Sequence, residues 1–91
     1  MTVSPTQHLL IRITMAKPAE YKGIFYPDEQ AWDPKTGQSV CLRGAGQAQA
    51  IKALIRSGLA TPVPELSNPY CFQLTPETMA AFRTGAIEEG P

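Results

Sequence analysis

The sequence predicts a single α+β domain built from helices and short strands. Apolar residues at helical spacing alternate along the chain with short β-branched or aromatic runs that Gly and Pro interrupt. A chain of 91 residues is also too short to bury two separate cores. We therefore expect one domain over residues 1–85, followed by a flexible C-terminal tail over 86–91.

The first element, over residues 5–16, admits two interpretations. Ser4, Pro5 and Gln7 match a capping box with proline at the first helical position, which predicts a helix. The alternation of Leu9, Ile11 and Ile13 with more polar residues is typical of a strand instead. We favour the helix and leave the strand as the alternative.

A β-hairpin is predicted next. Residues 24–26 and 31–32 are strand-like, and residues 39–42 form the returning arm. Between them, the segment 33–37 contains a proline that fixes φ and a glycine that can adopt a left-handed conformation.

The clearest helix is predicted over residues 46–57. Its apolar residues share about a third of the helical circumference; they are Ala48, Ile51, Leu54 and Ile55. Gly58 stands where a left-handed C-cap is expected.

A strand, loop, strand and helix complete the domain. The strands are predicted over 59–61 and 70–74, with a proline-rich loop between them. Thr75 and Pro76 begin a final helix, whose buried side contains Met79 and Phe82 and which ends at Gly85.

Over roughly residues 45–84 the chain resembles the winged-helix superfamily. The resemblance rests on the helix that ends in Ser-Gly-Leu-Ala over 57–60, the strand ending in Leu-Thr-Pro-Glu over 74–77, and the closing helix. It implies a recognition helix over 46–57 followed by a two-stranded wing. Winged-helix proteins normally carry a helix directly before the recognition helix, and small bacterial and phage relatives can carry a hairpin there. The predicted fold is therefore winged-helix-like, with an extra β-hairpin between the first helix and the recognition helix.

The formal net charge is zero, but the charges are unevenly distributed. Residues 1–33 sum to −1, residues 34–64 to +4 without any acid, and residues 65–91 to −3. This balance excludes a disordered polyelectrolyte and a basic nucleic-acid-binding tail. The acid-free block predicts a locally positive surface.

The resemblance places candidate DNA contacts on the recognition helix. It implies Gln49 as a reader of base edges, and Lys52 and Arg56 as phosphate contacts, with Arg43 just upstream. A solvated helix face is the alternative explanation of the same stripe. The wing residues 61–70 contain Glu65 and no Lys or Arg, which does not favour DNA contact there.

A second function is suggested by aromatic residues in the hairpin region. Tyr26 and Trp32, beside acidic residues Asp28, Glu29 and Asp33, would suit a protein interface, although core packing explains part of this cluster. The two hypotheses are a DNA-binding or transcription-modulating protein, derived from a phage or plasmid, and a phage-type inhibitor or adaptor of a host protein. A homodimer is compatible with both.

No catalytic, metal or cofactor site is predicted. His8 lacks a nucleophile or acid partner at a recognisable spacing, and the two cysteines lack the paired spacing of a zinc site. No apolar run approaches the roughly 20 residues of a membrane span. With no secretory signal visible, we expect a non-enzymatic cytoplasmic protein.

Overall fold

The computed structural model describes residues 1–26, 31–40, 45–66 and 70–91. The helices there are α1 (Pro5–Ala16), α2 (Ala45–Arg56) and α3 (Pro76–Arg83). The strands are β1 (Thr2–Val3), β2 (Ile24–Phe25), β3 (Ala31–Asp33), β4 (Gln38–Val40), β5 (Ala60–Pro62), β6 (Phe72–Leu74) and β7 (Glu88–Glu89). Single 3₁₀ turns lie at Ala19–Tyr21 and Pro64–Leu66. The predicted α+β class is confirmed.

Helix α1 forms from the capping signature, so the strand alternative for this segment is wrong. The Ser4 Oγ accepts a hydrogen bond from the Gln7 backbone N–H at 3.1 Å, and the Gln7 Oε1 accepts one from the Ser4 N–H at 2.9 Å. These two bonds satisfy donors that a helix start otherwise leaves unpaired. The helix then buries Leu10, Ile11 and Ile13 against the rest of the core.

The main sheet has three antiparallel strands in the order β2-β6-β5. Phe25 of β2 lies opposite Phe72 of β6, and their stacked rings have centroids 5.0 Å apart. Both rings are buried, as is the neighbouring Leu74. The sequence had placed residues 24–26 in the hairpin, but β2 pairs with β6 because that pairing buries the two aromatic rings together.

Strand β3 pairs with β4 in a separate two-stranded antiparallel ladder. Gly37 has φ of 71° in the turn, and its N–H donates to the Asp33 carbonyl at 2.8 Å. The register places Trp32 opposite Ser39, with Ala31 and Asp33 on the other face of the ladder.

Hydrogen bonds connect the C-terminal end of α2 to the N-terminal end of α3. Gly58 has φ of 80°, and the Leu59 N–H donates to the Leu54 carbonyl at 3.0 Å, which is the hydrogen bond of a Schellman motif. The Leu59 carbonyl in turn accepts bonds from the Thr75 N–H at 3.1 Å and the Thr78 hydroxyl at 2.8 Å. The predicted caps at Gly58 and Thr75 are both present.

Residues 86–91 differ from the predicted flexible tail. Ile87 is only 5% exposed, and β7 pairs in parallel with β1, with Thr2 opposite Glu88. The Met1 carbonyl accepts a hydrogen bond from the Glu88 N–H at 2.8 Å. One buried isoleucine and a backbone ladder connect the segment to the rest of the domain, although its other residues are polar or small.

Candidate nucleic-acid interface and charged surfaces

Three of the four predicted DNA contacts lie together on the outer face of α2. Gln49, Lys52 and Arg56 are exposed, while Ile51 and Leu54 face the core. The spacing i, i+3, i+7 returns to the same side of a helix, so the side chains form one stripe. No acidic residue occurs in α2. Arg43 lies outside the described residues.

The Gln49 end of this stripe adjoins the beginning of α1. A shallow open depression of about 340 Å³ lies between the two helices, bordered by Ser4, Thr6 and Gln7 on one side and by Gln49 and Ala53 on the other. The first turn of α1 contains no acid. A helix N-terminus carries partial positive charge, so the electrostatics at this end of the stripe also favour an anion.

The connection between β5 and β6 does not extend the positive surface. Glu65 is exposed in the turn Pro64–Leu66, and the described residues of this connection include no basic side chain. The candidate DNA contact is therefore made by the stripe on α2, without a contribution from the β5–β6 connection.

The aromatic residues of the predicted protein-binding surface lie in different environments. Trp32 is 58% exposed on the outer face of β3. Tyr26 is half-buried and packs edge-to-face on Tyr21, with ring centroids 6.1 Å apart. Phe25, the sequence neighbour of Tyr26, is in the core. Of Phe25, Tyr26 and Trp32, it is Trp32 that presents a largely exposed aromatic face.

The sequence predicted that Asp33 lies beside an exposed Trp32 in an acidic rim, and the structure shows that this is wrong. Asp33 is 3% exposed, and both of its carboxylate oxygens are bonded to Arg12, Oδ1 to Nε at 2.8 Å and Oδ2 to Nη2 at 3.0 Å. The hydrogen bonds from Arg12 lower the pKa of Asp33 to about 2. Because side chains alternate along a strand, an exposed Trp32 turns Asp33 inward. Asp28 and Glu29 lie outside the described residues.

Arg12 is the centre of a charge network that the sequence did not reveal. Its Nη1 lies 2.8 Å from the His8 Nδ1 and 3.2 Å from the Glu89 Oε1, and the Lys35 Nζ lies 3.1 Å from the same Glu89 oxygen. Burial and the neighbouring Arg12 charge lower the pKa of His8, so the ring is neutral near pH 7 and accepts at Nδ1. The network joins α1, the β3–β4 ladder and β7. The i, i+4 spacing of His8 and Arg12 is its single local signal in the sequence.

Two further properties bear on function. In the described parts of the chain, no group of three or more His, Cys, Asp or Glu side chains is placed to hold a metal ion. The helices described there are all too short or too polar to cross a membrane.

Comparison with known proteins adds no assignment. No family model matches the chain, and no curated protein or solved structure matches it either. The class established by the structure is a small compact α+β domain, with three helices and several short strands in the parts of the chain that it describes. The winged-helix resemblance stays a prediction based on the motifs and their order.

Proposed function

We propose that the protein is a small, non-enzymatic, winged-helix-like DNA-binding or transcription-modulating protein that places α2 against a duplex. The observation that carries this proposal is the exposed stripe of Gln49, Lys52 and Arg56 on a helix without acids. A helix of this size fits the major groove, where a glutamine can bond adenine and basic side chains can reach flanking phosphates. The antiparallel pair β5–β6 follows α2 in the place of a wing.

The pairing of charged side chains bears on the expected strength of binding. Lys35 belongs to the acid-free block, but its ammonium is paired with Glu89. Lys52 and Arg56 then remain on α2 as candidate phosphate contacts, and the sequence adds Arg43 as a third cation of the block. Three such contacts give a slope of log K against log salt of about −2.7, where four would give about −3.6. Binding by one copy is consequently weak at physiological salt.

Fluorescence anisotropy with a mixed-sequence duplex at low salt tests this function. We expect saturable binding that is lost in the double variant Lys52→Glu with Arg56→Glu. The matched control is Lys22→Glu with Arg83→Glu, which makes the same change in net charge away from α2 and should retain the affinity. The weakest non-specific duplex binding has a dissociation constant of about 100 µM. If no binding is seen up to that protein concentration, the proposal is overturned. Equal losses in the two double variants would also overturn it.

A protein-binding module on the same fold is the second candidate, and Trp32 favours it. A tryptophan that is 58% exposed on a short strand is a typical anchor for a partner surface. The discriminating variant is Trp32→Ala. It should abolish capture of a stoichiometric protein partner and leave duplex binding unchanged. Clear duplex binding without any captured partner would reject this candidate.

A further inference from the structure

A second positively charged surface lies away from α2. A groove of about 170 Å³ is bordered by the end of α1, the turn Ala19–Tyr21 and the last turn of α3. Each of these segments contributes or adjoins one cation at the groove, namely Lys17, Lys22 and Arg83. Met79 and Gly23 also line it, and no acidic residue does so among the described residues.

The backbone at Lys22 is strained. Its φ of 57° and ψ of 32° place it in the left-handed region, and it is the one non-glycine residue with positive φ in the described parts of the chain. The hydrogen bond from the Gln73 Nε2 to the Lys22 carbonyl, at 3.0 Å, helps to fix this conformation. A residue with a Cβ is disfavoured there, and glycine or asparagine would fit with less strain. Backbone strain of this kind clusters at ligand-binding and other functional sites.

The charges at the groove are not explained by the helix ends alone. A cation near a helix C-terminus is stabilised by the macrodipole, which accounts for Lys17 and Arg83 taken separately. It does not account for Lys22, which terminates a single 3₁₀ turn. Neither Lys22 nor Arg83 has an acidic partner among the described residues.

Lys17 is positioned by an aromatic ring. Its Nζ lies 5.4 Å from the centroid of Tyr21, within the range of a cation–π contact. Tyr21 itself packs edge-to-face on Tyr26. Met79 supplies an apolar wall whose Sδ would lie 2.9 Å from a Cβ at Gly23. The groove is thus lined by basic residues together with a small apolar surface.

We propose that this groove binds a phosphate group, with Lys22 and Arg83 as its main ligands and Lys17 as the third. A guanidinium can bond two phosphate oxygens at once, and ammonium groups neutralise the remaining charge. The apolar wall at Met79 accommodates the carbon skeleton of a small phosphorylated molecule. This site is separate from the α2 stripe and does not depend on duplex binding.

Amide NMR of the whole chain, titrated with inorganic phosphate at constant ionic strength, tests the site. We expect saturable shifts at Lys22, Gly23 and Arg83, and a loss of affinity of about tenfold in Lys22→Gly and in Arg83→Gln, as expected for one charge-assisted hydrogen bond. Lys52→Gln with Arg56→Gln is the matched control and should leave phosphate binding unchanged. A non-saturable response, an equal response to chloride, or unchanged affinity in both groove variants would overturn the proposal.

Duplex DNA distinguishes a small phosphorylated ligand from the phosphates of a nucleic acid. The groove variants should keep the wild-type anisotropy with a duplex, and free phosphate should not compete with it. If they lose duplex binding as the α2 variants do, the separate site is rejected, and with it the proposal that α2 alone places the duplex. If only phosphate binding fails, the proposed function of α2 is untouched.

Discussion

Arg12 holds both carboxylate oxygens of Asp33 across 21 residues of sequence, with bonds of 2.8 Å and 3.0 Å. The pair fastens α1 to the first strand of the β3–β4 ladder. The Lys35 backbone N–H donates a third bond to Asp33 at 2.9 Å, which ties the following turn to the same carboxylate. The position of the β3–β4 ladder relative to α1 therefore depends on the buried carboxylate of Asp33.

Replacing Asp33 by asparagine should destabilise the protein by about 2 kcal/mol. The variant removes the negative charge that faces the Nε and Nη2 of Arg12 in a largely buried place, and the remaining bond to Glu89 reaches only Nη1. Urea unfolding followed by circular dichroism measures the loss. Glu65→Gln, which removes an exposed carboxylate, is the control and should stay within about 0.5 kcal/mol of the wild type. Equal stability of the two variants would show that the pair contributes nothing.

Acid should weaken the fold through the same residue. The pKa of Asp33 is about 2 in the folded protein against an ordinary value of 3.8. Its stabilising effect is therefore complete above pH 3.8 and is lost as the pH falls toward 2. The urea midpoint should decline across that window in the wild type and decline less in Asp33→Asn. Parallel curves for the two proteins would contradict this prediction.

His8 should titrate below its ordinary pKa of 6.5, chiefly because burial disfavours the charged ring and secondly because Arg12 is close. The unfolded chain binds a proton first, so stability should decrease as the pH falls below 6.5. The ring protons of this single histidine report its pKa directly by NMR. Glu89→Gln removes a neighbouring negative charge and should lower the pKa further. A pKa that rises in this variant would refute the assigned environment.

Lys22→Gly should raise the stability by about 0.5–1 kcal/mol, because relief of left-handed strain exceeds the added flexibility of the unfolded chain. Gly37→Ala provides the opposite control. Gly37 has φ of 71° with no atom within 4 Å of an added Cβ, so the substitution introduces the strain alone and should destabilise. Both changes are read from urea midpoints. A destabilised Lys22→Gly would mean that the lysine side chain contributes to the fold.

Ile87→Ala should cost about 2–4 kcal/mol, since it removes a buried side chain that secures β7. Glu88→Ala, on the exposed strand beside it, should change the stability by less than about 0.5 kcal/mol. Thermal or urea unfolding distinguishes the two. A small effect of Ile87→Ala would mean that residues 86–91 behave as the tail that the sequence predicted.

Local chemistry made the helices predictable. The bonds between Ser4 and Gln7, the left-handed Gly58 and the Thr75 cap each involve residues within a few positions of one another, so short motifs encode them. The exposed stripe of α2 followed from helical periodicity in the same way. The partners of β2 and β7 depend on contacts across the whole chain, which no local pattern specifies.

The prediction that Asp33 is exposed beside Trp32 was wrong for a specific physical reason. An exposed tryptophan in a strand implies that the next side chain faces inward, and an inward carboxylate requires a cationic partner. Arg12, between the buried Ile11 and Ile13, is the matching signal in the sequence. The pairing itself depends on the packing of α1 against β3, which only the structure supplies.

The exposure of Trp32 has a practical consequence. It is the single tryptophan, and its indole already contacts water in the native state. Its emission maximum should change little when the protein unfolds, so intrinsic fluorescence will under-report denaturation. A partner that covers β3 would move the indole into a drier environment and shift its emission to shorter wavelength. The emission maximum of Trp32 should therefore report docking on this face and change little on unfolding.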